Sequence, residues 1–174
     1  ARCLKEGANR IGWRPRLAGP RKRLVNGMYR GTGLAACIYK TGQSQSSALV
    51  KFRADGSAEL FMSITEIGQG AWTILRQIVA ETLGLDFAKV HATFADTETT
   101  PFAHSTSGST TTFTSGLAAR QAADDAKRRL LASAAKLLEI EAEKLILRDE
   151  FVAIADTPDM RIPVTHIIRR QPDQ

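Results

Sequence analysis

Residues 57–84 read SAELFMSITEIGQGAWTILRQIVAETLG, and the change of period inside this stretch decides the fold class. In its first half Leu60, Met62 and Ile64 fall on one side and Glu59, Phe61 and Ser63 on the other, the alternation of a half-buried strand. In its second half Ala71, Leu75, Ile78, Val79, Thr82 and Leu83 recur at helical spacing, which predicts a helix over 71–83 stopped at Gly84. The joint is Thr65-Glu66-Ile67-Gly68-Gln69-Gly70. Its two glycines let the backbone turn sharply and come close to a ligand, and the Gln69 amide both donates and accepts hydrogen bonds. Ahead of a helix N-terminus this suits an anionic or highly polar group. The spacing is equally compatible with a purely architectural turn and a solvated Gln69.

Outward from this joint, Leu49–Arg53 precedes Asp55-Gly56, a tight-turn pair that predicts a β-hairpin with the strand above. After the helix, 90–95 reads as a strand ending at Asp96, a residue suited to holding a loop through Asx-type hydrogen bonds. The loop 96–108 is crowded with Thr, Ser and Gly. A long helix is expected from about Ser109 to Leu138, with Ala119, Ala123, Ala126, Leu130 and Leu137 as its stripe and an alanine-rich first half suited to close packing. Leu145–Leu147 and Phe151–Ile154 predict a second hairpin, 161–164 a last short strand, and Thr165 the cap of a terminal turn through His166–Arg170. Towards the N-terminus, 31–39 reads as a buried strand opened by glycines, with Cys37 as a small core residue. Residues 1–12 read as a helix end and 13–30 as an irregular connection. Hairpins mixed with helices predict an α+β fold, a mixed sheet with two main packed helices, rather than a doubly wound parallel sheet. We divide the chain into a basic arm, 1–30, and a domain, 31–174.

Composition narrows the class. The chain has 174 residues, 43% hydrophobic and 24% charged, enough for one globular domain with a real core. No apolar run approaches the ~20 residues of a membrane helix. The net charge of +6 is uneven. Nine Lys/Arg against Glu6 give residues 1–30 a balance of +8, and fifteen against seventeen give the remainder −2. The arm lacks interleaved aromatics beyond Trp13 and Tyr29, so a solvated or partner-docked arm is favoured over a nucleic-acid one. Cys3 and Cys37 have neither CxxC nor metal spacing, and a reducing, cytoplasmic compartment is the simpler expectation.

Two stretches are candidates for chemistry. One is Gly68-Gln69-Gly70. The other is the hydroxyl run 105–112 around Gly108, which offers backbone N–H groups and several O–H donors to a phosphate, or else is a polar loop with Ser109 capping the helix. It lacks the Lys and the spacing of a Walker P-loop, which argues against nucleoside triphosphate hydrolysis. His91, His104 and His166 have no partner at metal-ligand spacing. Glu66 is a general base by position only, and no Ser–His–Asp or Cys–His arrangement is readable.

Taken in order, Arg30-Gly-Thr-Gly-Leu-Ala35, the Asp55-Gly56 strand, Thr65–Gly70 with its helix through Gly84, Asp96-Thr97 with Pro101, and Ser107-Gly-Ser-Thr-Thr111 leading to Gly116 resemble the molybdopterin-binding subunit of the xanthine dehydrogenase/aldehyde oxidase family. The resemblance runs from about Arg30 to the C-terminus. It implies that Gln69, between Gly68 and Gly70, meets the cofactor near molybdenum, and that Ser107, Gly108, Ser109, Thr110 and Thr111 hydrogen-bond the pterin and its pyrophosphate, with Gly108 closest to the metal. Thr110 departs from the Arg that bacterial relatives often carry there. Tyr39 is implied near the wall of the substrate funnel.

By the same resemblance the molybdenum is held by the pterin dithiolene, so no side chain here need ligate metal. The family's catalytic glutamate lies beyond this segment, so no catalytic residue is assigned. The chain is expected to be a fragment or split subunit of a molybdenum hydroxylase acting on aldehydes, N-heteroaromatics or aryl thioesters. Its expected partners are the remainder of the molybdenum subunit and iron–sulfur and flavin subunits, with no nucleic acid and no membrane. Alone it is expected to be inactive and to hold no cofactor tightly. The competing reading is a non-catalytic module for a phosphate- or nucleotide-bearing ligand.

Overall fold

The computed structural model describes residues 2–13, 24–29, 31, 33–42 and 44–170, arranged in two compact units, 1–39 and 40–174. Most of the basic cluster (Arg14, Arg16, Arg21, Lys22, Arg23 and Arg30) lies outside the described residues.

In the first unit, α1 spans Arg2–Arg10, with Arg10 Nε bonded to Glu6 at 2.8 Å. Within the segment read as an irregular connection, strands β1 (Leu24–Val25) and β2 (Met28–Tyr29) pair antiparallel around Asn26-Gly27, a short hairpin that the reading missed. The strand expected over 31–39 is not formed: its described residues are irregular and exposed, Leu34 at 74% and Ile38 at 93%. Cys37 is correspondingly exposed rather than a core residue. An apolar run records a demand for cover, but a strand exists only where a neighbour completes its hydrogen-bond ladder, and the described residues supply none here.

In the second unit, β3 (Leu49–Phe52) and β4 (Ala58–Met62) form the expected hairpin, with Lys51 opposite Glu59. Asp55 Oδ1 accepts from Ser57 N at 2.9 Å, closing the turn. α2 (Ala71–Leu83) carries the chain over to β5 (Val90–Phe94), which pairs parallel with β4, so the sheet is mixed, in the order β3-β4-β5. A parallel pair needs such a crossover, and it brings the carboxyl ends of both strands to one edge. The α2 stripe that is fully buried is Ala71, Leu75, Val79, Ala80 and Leu83, while Ile78 and Thr82 sit half-buried at its margin. Leu85 N bonds back to Ala80 O at 3.0 Å beyond Gly84, closing the helix end as expected.

The long helix starts later than expected. Thr111–Ser115 form a π turn, and α3 runs from Gly116 to Leu138. Its alanines do pack closely: Ala119, Ala123 and Ala126 join the cluster around Leu60, Met62, Ile64, Leu75, Val79 and Leu83. Beyond them Leu130 and Ala134, rather than Leu137, are the buried positions. These belong to a second cluster with Leu145, Leu147, Val152, Val164 and Ile167. It is formed on β6 (Leu145–Arg148), β7 (Phe151–Ile154) and β8 (Thr157–Pro163), an antiparallel sheet in that order, and on α4 (Val164–Arg169). The last strand therefore extends further back than 161–164. Thr165 does not cap a turn: β8 runs straight into α4 at Pro163, which leaves Thr165 inside the helix with its Cγ2 against Gly56.

Candidate functional site

The carboxyl edge of the β4–β5 pair carries both candidate stretches. Trp72, at the start of α2, donates Nε1–H to Ile64 O at 3.1 Å and stacks on Phe94 at 5.3 Å between ring centres. Helix and strand ends are thereby locked around the turn 65–70. Inside the turn, Glu66 does the holding. Its Oε1 accepts from Gly68 N at 2.8 Å and Gly70 N at 2.9 Å, and its Oε2 from Trp72 N at 3.3 Å. Partial desolvation opposes ionisation of Glu66, but the N–H groups of Gly70, Trp72, Gly68 and Ala71 outweigh it and hold the carboxyl below its usual value. The free N–H groups at the start of α2, read from sequence as an anion site, are therefore occupied by a carboxylate of the chain itself. The same contacts remove Glu66 from consideration as a general base.

Gly68 and Gly70 adopt φ of 99° and 76°, left-handed values that glycine takes without strain. A side chain built on either would meet nothing within 4 Å, so a ligand can approach the backbone there. The exposed Gln69 folds back on the turn: its Oε1 accepts from Ile67 N at 2.7 Å and its Nε2 donates to Thr65 O at 3.2 Å.

The second loop begins where β5 ends. Asp96 Oδ1 accepts from Glu98 N at 2.9 Å, the Asx-type anchoring expected, and the backbone Asp96 O accepts from Thr100 N at 2.9 Å. The hydrogen bond from Glu98 N is the first cause of the lowered Asp96 pKa. Segment 102–104 is tied to 45–47 through Ser47 N to Phe102 O at 2.8 Å and His104 N to Gln45 O at 3.2 Å. The hydroxyl run then turns towards the first loop, and Thr106 Oγ1 donates to Thr65 O at 2.7 Å. Gly108 and Ser109 follow with φ of 57° and 52°. Ser107 and Ser109 are exposed, Gly108 and Thr111 half-buried. Thr110 is buried, with its N and Oγ1 both bonded to Ser107 O, at 3.1 and 2.8 Å. One turn on, Thr114 Oγ1 is buried without a hydrogen-bond partner among the described residues. The π turn that follows the loop is a departure from regular helix often found beside functional sites.

Tertiary structure thus brings Gly68, Gln69 and Gly70 to the same edge as Ser107–Thr111, joined through Thr65 and Thr106. Tyr39 is exposed and belongs to the 1–39 unit. His91, His104 and His166 are exposed, and no group of three or more His, Cys, Asp or Glu among the described residues is placed to hold a metal ion. Sequence reasoning missed Glu66 as the organiser of the turn, although a carboxylate just ahead of a helix start is a recognisable signal. It also missed Thr106, for which no local signal exists, because its acceptor lies 41 positions away.

A model of the molybdopterin cofactor-binding domain matches residues 6–172. The chain belongs to this family of molybdopterin cofactor-binding domains. The domain is 31% identical over 163 residues to a xanthine dehydrogenase molybdenum-binding subunit of Escherichia coli O157:H7, covering 90% of this chain and 22% of that one. It is 25% identical over 154 residues to the nicotine 6-hydroxylase large subunit of Paenarthrobacter nicotinovorans, covering 81% of this chain and 19% of that one. Among solved structures, quinoline 2-oxidoreductase from Pseudomonas putida 86 superposes with a TM-score of 0.66 at 26% identity, over 72% of this chain and 16% of that one. The Cu,Mo-CO dehydrogenase superposes at 0.64 and 27% identity, over 71% and 16%. The domain therefore spans about a fifth of the length of the curated relatives it matches. Among its described residues no helix is long and apolar enough to cross a membrane.

Proposed function

We propose that the edge formed by Gly68, Gln69, Gly70, Ser107, Gly108, Ser109, Thr110 and Thr111 is one wall of the molybdopterin site. The observation that carries this reading is the hydrogen bond from Thr106 to Thr65, which holds the glutamine turn and the hydroxyl loop as one surface. The donor set suits the group. Gln69, although tied back, retains one N–H and one acceptor lone pair, matching a pterin edge that itself both donates and accepts. The exposed hydroxyls of Ser107 and Ser109 suit phosphate oxygens. When bound, molybdopterin supplies a molybdenum centre held by its own dithiolene, and this domain contributes orientation and hydrogen bonds.

In the same reading the domain is part of a molybdenum hydroxylase acting on a small molecule, completed by the remainder of a molybdenum subunit and by iron–sulfur and flavin partners. One wall lacks both the opposing cofactor contacts and the acid–base group, so the isolated 174-residue chain has no turnover. Measurable dehydrogenase activity by the isolated chain overturns that part. Calorimetric titration of the chain with a pterin nucleotide and with simple nucleotides tests the ligand class. Preference for the pterin compound supports the molybdopterin wall, and preference for simple nucleotides replaces it with a general phosphate-binding module.

A further inference from the structure

The carbonyl of Thr65 is a junction. It accepts from Gln69 Nε2 at 3.2 Å and from Thr106 Oγ1 at 2.7 Å, using the two lone pairs of one oxygen. The Gln69 carboxamide is also held at its other end by Ile67 N, at 2.7 Å. An exposed glutamine ordinarily samples several rotamers, and binding must then freeze them. Here the freezing is done beforehand by the protein. The Thr65 peptide plane can hold Gln69 only if it is itself fixed. Two groups fix it: Glu66 gathers the N–H groups of Gly68, Gly70 and Trp72, and Thr106 ties the carbonyl to the neighbouring loop.

We propose that Glu66 and Thr106 are positioning residues that present the Gln69 carboxamide to the ligand in one orientation, a role that rests on the reading of Gln69 as ligand-facing. Neither side chain needs to touch the ligand for this. Thr106 also makes the two loops interdependent: a shift of the hydroxyl loop moves the carbonyl on which Gln69 rests.

The test uses the 15N-labelled 174-residue chain and reads hydrogen exchange of the Gln69 side-chain NH2 group. Thr106→Val keeps the side chain's volume and removes the donor. The expected result is exchange faster by about fivefold, the effect of one ordinary hydrogen bond, with α2 backbone amides unchanged. Thr106→Ser keeps a hydroxyl and is expected to restore the native rate. An unchanged rate in Thr106→Val, or failure of Thr106→Ser to restore it, overturns the positioning role, and a general loosening that also speeds the α2 amides does the same. These measurements need no ligand. Titration of the native chain with 6-hydroxymethylpterin monophosphate then tests the underlying reading separately. A shift of the Gln69 side-chain resonances supports it, and no shift at millimolar probe removes Gln69 from the ligand surface whatever the exchange rates.

Discussion

At the scale of single residues, Glu66 shows how a charged side chain serves structure next to a binding edge. Its carboxylate takes over N–H groups that the start of α2 would otherwise offer to solvent or to an anion. Its folded pKa is lowered, so its contribution to the turn is full above the ordinary glutamate value of about 4.3 and is lost as pH falls through the lower folded value. Amide shifts of Gly68 and Gly70 followed between pH 7 and 2 are therefore expected to stay constant through neutrality and to move together only at the acid end. Movement near pH 6 would assign the turn to another group. At Gly108 the constraint is conformational. An added Cβ finds ordinary contact with Lys40 O at 3.6 Å, but φ of 57° disfavours a side chain. Gly108→Ala is expected to cost about 1–2 kcal/mol in urea unfolding from backbone strain, although nothing clashes.

At the scale of elements, the pairing of α2 with α3 sets the distance between the two loops, because α2 begins at the first loop and α3 follows the second. Their contact is close because small residues line it: Ala119 and Ala123 are fully buried, and Lys127 reaches across to Thr82 O at 3.1 Å. A Cβ on Gly116 would lie 2.9 Å from Ile78 Cδ1, so the N-terminal end of α3 is as tight as its middle. Ala123→Leu is expected to destabilise by about 1–3 kcal/mol through overpacking, read as a lower urea midpoint. Its second expected effect is disturbance of Thr65 and Thr106 amides, since prising the helices apart separates the loops. The β3–β4 and β6–β7 hairpins, α2 and its glycine stop were legible from periodicity and turn chemistry, which act within a few residues. The late start of α3 was not legible. The run 109–115 has hydroxyls and a phenylalanine compatible with helix, so nothing local marks the π geometry of Thr111–Ser115, where Ser115 and the preceding Thr110 are buried.

At the scale of the whole molecule, the 40–174 unit holds two apolar clusters that share one helix. The first half of α3 belongs to the cluster under the mixed sheet, its second half to the cluster under β6–β8, and Phe52 touches both. Leu130→Ala is expected to cost about 2–5 kcal/mol, as a buried truncation does. Because α3 is shared, the loss is expected to appear in the hydrogen-exchange protection of α2 amides, far from the substitution in sequence. Protection lost only around β6–β8 would show that the two clusters open independently. The sequence by itself determined the α+β class, the β3–β4 and β6–β7 hairpins, the two main helices and both candidate stretches, because strand alternation, helical spacing and turn residues are local codes. The apolar run 31–39 misled the same reasoning, since apolarity alone does not supply a neighbouring strand. Only the tertiary structure decided that the glutamine turn and the hydroxyl loop share one edge and that Thr106 joins the loops. Those contacts depend on the parallel β4–β5 crossover and on the tight seam between α2 and α3. No local pattern encodes a hydrogen bond between residues 41 positions apart.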